Sequence, residues 1–150
     1  MITTQATHAE PAAGQARPTI VVIDASAASI SLYERSVKSL GVALAVFESS
    51  QTSLAYLKHN PADLIFLELM VPGQDGLSLL RELRAGDHHA RTPVIVVTSK
   101  DYLQDRNQAQ ALGVKDFLAK PLRSQEIRNL IERHVQGASG ASGDGPHAKA

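Results

Sequence analysis

The sequence contains no cysteine and no tryptophan, and its few aromatic residues are three tyrosines and three phenylalanines. Without cysteine the chain has neither disulfides nor thiolate metal sites, which suits a reducing compartment. Basic and acidic side chains balance at 15 each, so a general electrostatic attraction to nucleic acid is disfavoured. No apolar run approaches the length of about 20 residues that crosses a membrane. These absences predict a protein that binds neither nucleic acid nor a membrane.

The two ends of the chain differ in composition from its middle. Residues 1–18 are rich in alanine, threonine and glutamine, and they lack the basic start and apolar middle of a secretory signal. Residues 137–150 are a low-complexity stretch of glycine, alanine and serine. We expect a disordered arm and a disordered tail around one domain over residues 19–136, since 150 residues with 43% hydrophobic content can bury one core. The absence of a signal predicts a cytoplasmic location.

Short apolar runs alternate with segments of helical periodicity along this domain. Each run has the length and the β-branched content of a strand that is buried on both faces. Each helical segment follows a serine or aspartate suited to capping, for example Ser26, Asp75 and Ser124. The pattern predicts an α/β fold with a parallel sheet covered on both sides by helices. The predicted strands are residues 19–23, 42–47, 63–67, 93–97 and 114–119.

The stretch from Asp63 to Gly76 carries the strongest local signals. Its apolar run ends abruptly at an acid, Glu68. Pro72 and Gly73 follow in the order that a type II turn requires, and Asp75 with Gly76 opens a helix with leucines at helical spacing. An acid therefore lies where a buried strand stops.

Most of the other predicted strands also end in a polar or charged group. Asp24 follows the first strand, Thr98 and Ser99 follow the fourth, and Lys120 follows the fifth. The carboxyl ends of parallel strands lie at one edge of the sheet, where ligands bind in open α/β folds. We therefore expect these side chains to converge with Glu68.

Taken in order, these pieces resemble a response-regulator receiver domain, the phosphorylatable module of two-component signalling. The resemblance rests on Asp24, the P-x-x-D-G turn from Pro72 to Gly76, Thr98 and Lys120-Pro121, and it covers roughly residues 19–136. It implies a flavodoxin-like (βα)5 fold, a doubly wound parallel sheet with strand order 2-1-3-4-5.

Two residues depart from the family pattern at its chemical positions. Family members carry two adjacent acids after the first strand, but Ala25 stands in place of the second. Glu68 stands in place of the phosphoacceptor aspartate, and its extra methylene displaces the carboxylate by about 1 Å, enough to impair an in-line reaction. The resemblance therefore implies a weak or absent Mg²⁺ site made of Asp24, Glu68 and the backbone carbonyl of Met70.

A longer acid has the reach to contact Lys120 and Thr98, which touch the phosphoryl oxygens in typical receivers. We therefore hypothesise that Glu68 holds the switch near one state, as a partial mimic with one charge where phosphate carries nearly two. The resemblance makes Thr98 and Phe117 the switch residues, although an aromatic in a short strand also suits a core position.

The resemblance also implies an interaction surface on the fourth helix, the fifth strand and the fifth helix. Cations mixed with apolar groups suit a modest, partly electrostatic interface. The residues expected on it are Lys100, Arg106, Lys115, Phe117, Leu122 and Arg123.

Three functions are compatible with these features of the sequence. The favoured one is a stand-alone, non-enzymatic receiver in bacterial-type phosphorelay signalling, a monomer or weak homodimer that contacts a histidine kinase, a phosphotransfer protein or a downstream output protein. The second is a receiver that still accepts phosphate at Glu68 or another site. The third is a flavin- or nucleotide-binding flavodoxin-like protein, for which the segment from Asp24 to Ser29 lacks the glycines of a phosphate loop.

Overall fold

The computed structural model describes residues 17–138. The predicted N-terminal arm, apart from Arg17 and Pro18, and the predicted tail, apart from Gly137 and Ala138, lie outside the described residues. The contacts of the fold reach both ends of the described range, because the Pro18 carbonyl accepts a 2.8 Å hydrogen bond from the Ala43 amide and Ala138 is buried.

Five strands alternate with five helices, as the periodicity predicts. In chain order they are β1 (Thr19–Ile23), α1 (Ala27–Val37), β2 (Ala43–Phe47), α2 (Ser50–Leu57), β3 (Leu64–Leu67), α3 (Gly76–Ala85), β4 (Val94–Thr98), α4 (Leu103–Ala111), β5 (Asp116–Ala119) and α5 (Ser124–His134).

All five strands are parallel and form one sheet in the order β2-β1-β3-β4-β5. Val22 of β1 pairs with Val46 of β2 on one side and with Phe66 of β3 on the other. The implied fold class and strand order are confirmed. Because the strands are parallel, their carboxyl ends meet at one edge, and that edge holds the polar groups described below.

Alternating residues of the central strands divide the core into two layers. Val22 packs with Tyr33 of α1 and Leu130 of α5, whereas Val21 packs with the leucines of α3 and Ala109 of α4. Successive side chains of a strand point to opposite faces, so strands made only of apolar residues are buried on both sides. The sheet thus holds the site residues on a rigid support.

Serine or aspartate caps α1, α2 and α3, but α4 follows Tyr102, which makes no side-chain capping hydrogen bond, and α5 also differs. Ser26 and Asp75 accept hydrogen bonds from the backbone amides three residues later, at 3.2 and 3.1 Å. Ser124, expected to cap α5, is instead the first helical residue. Arg123 occupies the cap position, and its backbone amide donates a 2.8 Å hydrogen bond to Glu126 of the first turn.

Among residues 17–138, no helix is both long enough and apolar enough to cross a membrane.

The predicted fifth strand, residues 114–119, begins later in the structure than the sequence predicts. Val114 lies in the segment after α4 and outside the strand, and its amide donates to the Ala109 carbonyl at 3.3 Å. The strand therefore begins only at Asp116.

Candidate functional site

Four polar side chains converge at the carboxyl edge of the sheet. Asp24 follows β1, Glu68 follows β3, Thr98 ends β4 and Lys120 follows β5. Asp24 is 2% exposed, Glu68 4% and Thr98 0%, so the cluster lies beneath the surface. The sequence predicted this convergence, because parallel strands place their ends together.

Lys120 bridges the two acids. Its Nζ lies 2.9 Å from Asp24 Oδ2 and 3.0 Å from Glu68 Oε1. The peptide bond that joins Lys120 to Pro121 is cis. Buried charges persist when they are paired and hydrogen-bonded, and this ammonium satisfies both carboxylates at once.

Both carboxylate oxygens of Glu68 accept hydrogen bonds, and one of them also forms an ion pair. Oε2 accepts from the Thr98 hydroxyl at 2.7 Å and from the Met70 amide at 3.1 Å. Oε1 accepts from the Ser99 amide at 3.2 Å and contacts Lys120. The carboxylate is therefore surrounded by four donors, two of them backbone amides that sequence reasoning did not identify.

The pKa values in the cluster shift in opposite directions. Burial is the largest influence on Glu68 and raises its pKa, but hydrogen bonds from Thr98, Lys120 and the Met70 amide together outweigh it, and the pKa is lowered. Burial also dominates for Asp24, and there the Ser26 amide and Lys120 do not overcome it, so the pKa is raised. Glu68 is the better-stabilised anion.

The ammonium of Lys120 is stabilised in its charged form. Burial, the largest influence, lowers its pKa, but the bonds to Asp24 and Glu68 prevail and the pKa is raised. The predicted role of Lys120 as an ion-pair partner thus fits its surroundings. The pKa of Lys120 is raised on balance, whereas a catalytic base would require a pKa lowered towards neutrality.

The family model of the response regulator receiver domain matches residues 20–132. This chain belongs to that family. The match includes all five strands and the four residues of the cluster. It assigns the chain to two-component signalling, and the alternative of a flavin-binding protein is left without support.

Two curated relatives show the settings in which such receiver domains occur. The chain is 25% identical over 120 residues to the signal transduction histidine-protein kinase BarA of Escherichia coli K12. The alignment covers 80% of this chain and 13% of BarA. It is 29% identical over 119 residues to the DNA-binding transcriptional regulator NtrC of Salmonella typhimurium, with 79% of this chain and 25% of NtrC. This chain therefore spans a quarter or less of the length of either relative.

Solved structures share the fold. The phosphorylated cyanobacterial phytochrome response regulator RcpA superposes with a TM-score of 0.76 at 21% identity, over 85% of this chain and 100% of RcpA. The receiver domain of the sensor histidine kinase PA1611 from Pseudomonas aeruginosa PAO1 superposes with a TM-score of 0.71 at 25% identity. The superposition covers 79% of this chain and 98% of that domain. That domain was crystallised with a magnesium ion coordinated in its active-site cleft.

The residues of this receiver do not fit such an ion well. Mg²⁺ requires oxygen ligands in near-octahedral geometry, but the ammonium of Lys120 lies between the two carboxylates that would hold it. Ala25 supplies no side-chain oxygen. Within residues 17–138, no group of three acidic, histidine or cysteine side chains is placed to hold a metal. In the residual set of Asp24, Glu68 and the Met70 carbonyl, both carboxylates are thus engaged by Lys120.

The two implied switch residues both point inward. The Thr98 hydroxyl also accepts a 3.2 Å hydrogen bond from the Lys100 amide, which ties the loop after β4 to the cluster. Phe117 is buried, and the guanidinium of Arg106 lies over its ring with Cζ 4.7 Å from the centroid. Arg106 also contacts the Phe117 carbonyl at 3.3 Å and Asp101 at 2.8 Å.

The expected interaction surface is only partly exposed. Phe117 and Leu122 were wrongly placed on it, because both are buried, in opposite layers of the core. β5 alternates across the sheet, and this turns Phe117 inward. Lys100, Lys115 and Arg123 are exposed and Arg106 is half-buried. Large apolar side chains that were not expected on this surface are also exposed, namely Met70, Tyr102 and Leu103.

Proposed function

We propose that this receiver acts by protein contact in phosphorelay signalling and that Glu68, without phosphorylation, holds its switch in one state. The observation that carries the proposal is the position of the Glu68 carboxylate, which contacts the Thr98 hydroxyl and the Lys120 ammonium simultaneously. In typical receivers these are the groups that contact the phosphoryl oxygens. The carboxylate supplies one of the negative charges that a phosphoryl group would bring.

The surroundings of Glu68 suit an acceptor of hydrogen bonds better than a nucleophile. Four donors contact its two oxygens, and the hydrogen bonds lower its pKa despite burial. An attack on phosphorus would require an oxygen to leave these partners and align with the donor phosphate. The bonds that hold the switch therefore compete with phosphorylation.

The charge of the cluster supports independence from metal. Asp24 and Glu68 together carry two negative charges and Lys120 carries one positive charge, so one negative charge remains. Loss of a second acid at Ala25 removes both a ligand and the excess negative charge that would attract a divalent cation. The ammonium satisfies the two carboxylates in its place.

The state set by Glu68 extends to the surface through two neighbours. Thr98 orders the Lys100 amide in the loop before α4, and Arg106 on α4 covers the buried Phe117. Lys100, Arg106, Lys115 and Arg123 then present cations to a partner. We propose that this partner is a histidine kinase, a phosphotransfer protein or an output protein of the same signalling system.

Restoring the typical chemistry tests the proposal. A double variant with Ala25→Asp and Glu68→Asp regains three carboxylates around Lys120, so Mg²⁺ should raise its melting temperature saturably. Saturation at 100 times the dissociation constant corresponds to about 2.7 kcal/mol. Wild type, titrated in parallel, should show no saturable rise. A wild-type response as large as that of the double variant would contradict the proposal.

A further inference from the structure

A cavity of about 150 Å³ lies between α1 and the segment that joins β5 to α5. Most of its lining is apolar and comes from α1, β4 and α5. Its polar contributors are Ser29, Tyr33 and Lys120, while Ala28 and Pro121 are exposed lining residues that mark the opening. Among its polar contributors, only Lys120 belongs to the cluster at the sheet edge.

The cavity follows from the small side chains at the start of α1. The segment from Asp24 to Ser29 contains only alanine and serine after its acid. Ala28 and Ser29 face the β5–α5 segment, and neither fills the space that a longer side chain would occupy. The space that they leave opens to solvent beside Ala28 and Pro121.

The Tyr33 hydroxyl lacks a protein partner. Tyr33 is 2% exposed, and its ring packs against Phe66 with centroids 5.0 Å apart. Within residues 17–138 its hydroxyl makes no hydrogen bond to another protein group. Buried tyrosine hydroxyls usually find a partner, so this donor calls for an acceptor.

The charges around the cavity decide which acceptor fits. Burial, followed by the charges of Asp24 and Glu68, raises the pKa of Tyr33, so the hydroxyl stays protonated and can donate. Asp24 and Glu68 lie outside the lining but act electrostatically on Tyr33, and with Lys120 they leave one net negative charge, which disfavours an anionic ligand. The ammonium of Lys120 contacts one oxygen each of Asp24 and Glu68, which leaves the third of its N–H donors for another acceptor. A neutral oxygen acceptor suits both donors.

We propose that this cavity binds a neutral small molecule with an apolar body and one carbonyl or hydroxyl oxygen that accepts a hydrogen bond from Tyr33. The size follows from the volume, since an apolar cavity of about 150 Å³ holds benzene, which corresponds to roughly six to eight non-hydrogen atoms. Binding in this cavity does not require that Glu68 hold the switch without phosphorylation, although Lys120 both lines the cavity and contacts Glu68. A bound molecule would pack against Lys120 and Leu122 and restrain the β5–α5 segment.

Cyclohexanone is a suitable probe, with cyclohexanecarboxylate as its anionic counterpart. We expect cyclohexanone to shift the amide NMR signals of cavity residues such as Leu32 and Ile127 saturably, with a dissociation constant on the order of millimolar. The carboxylate should bind at least about tenfold more weakly, because it adds charge beside Asp24 and Glu68. Equal binding of the two probes, or no saturable shift at the cavity, would overturn the proposal.

Two variants and one control complete the test. Tyr33→Phe removes only the hydroxyl and should weaken cyclohexanone binding about fivefold, which a merely structural role of Tyr33 would not do. Ser29→Met fills the space and should abolish binding while raising the melting temperature without ligand. Ala27→Met, on the first residue of α1 outside the lining, should change neither property. Unchanged affinity in Tyr33→Phe overturns the proposal even if Ser29→Met fails to fold.

Discussion

The Thr98 hydroxyl donates a 2.7 Å hydrogen bond to Oε2 of Glu68, joining the end of β4 to the residue that follows β3. Both residues are buried, so the bond is shielded from water. A hydrogen bond to a buried charge contributes more than one between neutral groups. This bond therefore fixes the orientation of Thr98 in the absence of any phosphoryl group.

Thr98→Val should lower the free energy of unfolding by about 2 kcal/mol, because it leaves Glu68 short of one donor and the Lys100 amide without its acceptor. The amide of Lys100 should also exchange faster with solvent. Urea denaturation and amide hydrogen exchange measure the two effects. Thr98→Ser keeps the hydroxyl and is the matched control. If Thr98→Ser loses as much stability as Thr98→Val, packing rather than the hydrogen bond is responsible.

Glu68→Gln should reduce the stability of the fold in a pH-dependent way. The folded pKa of Glu68 is lowered below its ordinary value of 4.5, so its contribution is present above that pH and is lost as pH falls through the folded value. The difference in unfolding free energy between wild type and Glu68→Gln, about 2 kcal/mol at pH 7, should therefore shrink below about pH 4.5.

In both wild type and Glu68→Gln, Asp24 has the opposite effect on the pH dependence of stability. Its folded pKa is raised, so protonation on acidification favours the folded state and offsets part of the loss. The comparison of wild type with Glu68→Gln at each pH isolates the carboxylate of interest. The exposed Glu48, exchanged for glutamine, serves as the control and should show little difference at any pH. A constant difference for Glu68→Gln down to pH 3 would contradict the assignment.

Arg106→Gln should expose the ring of Phe117. The guanidinium lies over this ring and contacts its carbonyl, and a cation over an aromatic face contributes about 0.5–1 kcal/mol at partly exposed sites. The aromatic NMR signals of Phe117 should broaden or shift. Asp101→Asn removes the ion pair but leaves Arg106 in place, so its effect on those signals should be smaller. Equal effects would assign the role to the ion pair.

Much of the fold was predictable because it rests on short-range signals. Runs such as Leu64–Leu67 are entirely apolar, and alternating helical segments leave few topologies for a parallel sheet. The strand order itself came from the family resemblance. The convergence of Asp24, Glu68, Thr98 and Lys120 followed from their places at strand ends, where side chains far apart in sequence are brought together by the sheet.

The remaining features depend on contacts that periodicity does not encode. The amides of Met70 and Ser99 reach Glu68 only because of the local path of two loops. Arg106 covers Phe117 across 11 positions of sequence, and the orientation of a long side chain cannot be derived from spacing. Leu122 was assigned to the surface because the family resemblance implies an interaction surface there, yet it packs in the core layer of α1 and α5.

The central claim is that Glu68 holds the switch without phosphorylation. Amide NMR spectra and intact masses of wild type, recorded with and without acetyl phosphate and Mg²⁺, test it most directly, with the Ala25→Asp and Glu68→Asp double variant treated alongside. We predict an unchanged mass and unchanged Thr98 and Phe117 signals for wild type. A phosphate adduct at Glu68, accompanied by shifts at Thr98 and Phe117, would contradict the account.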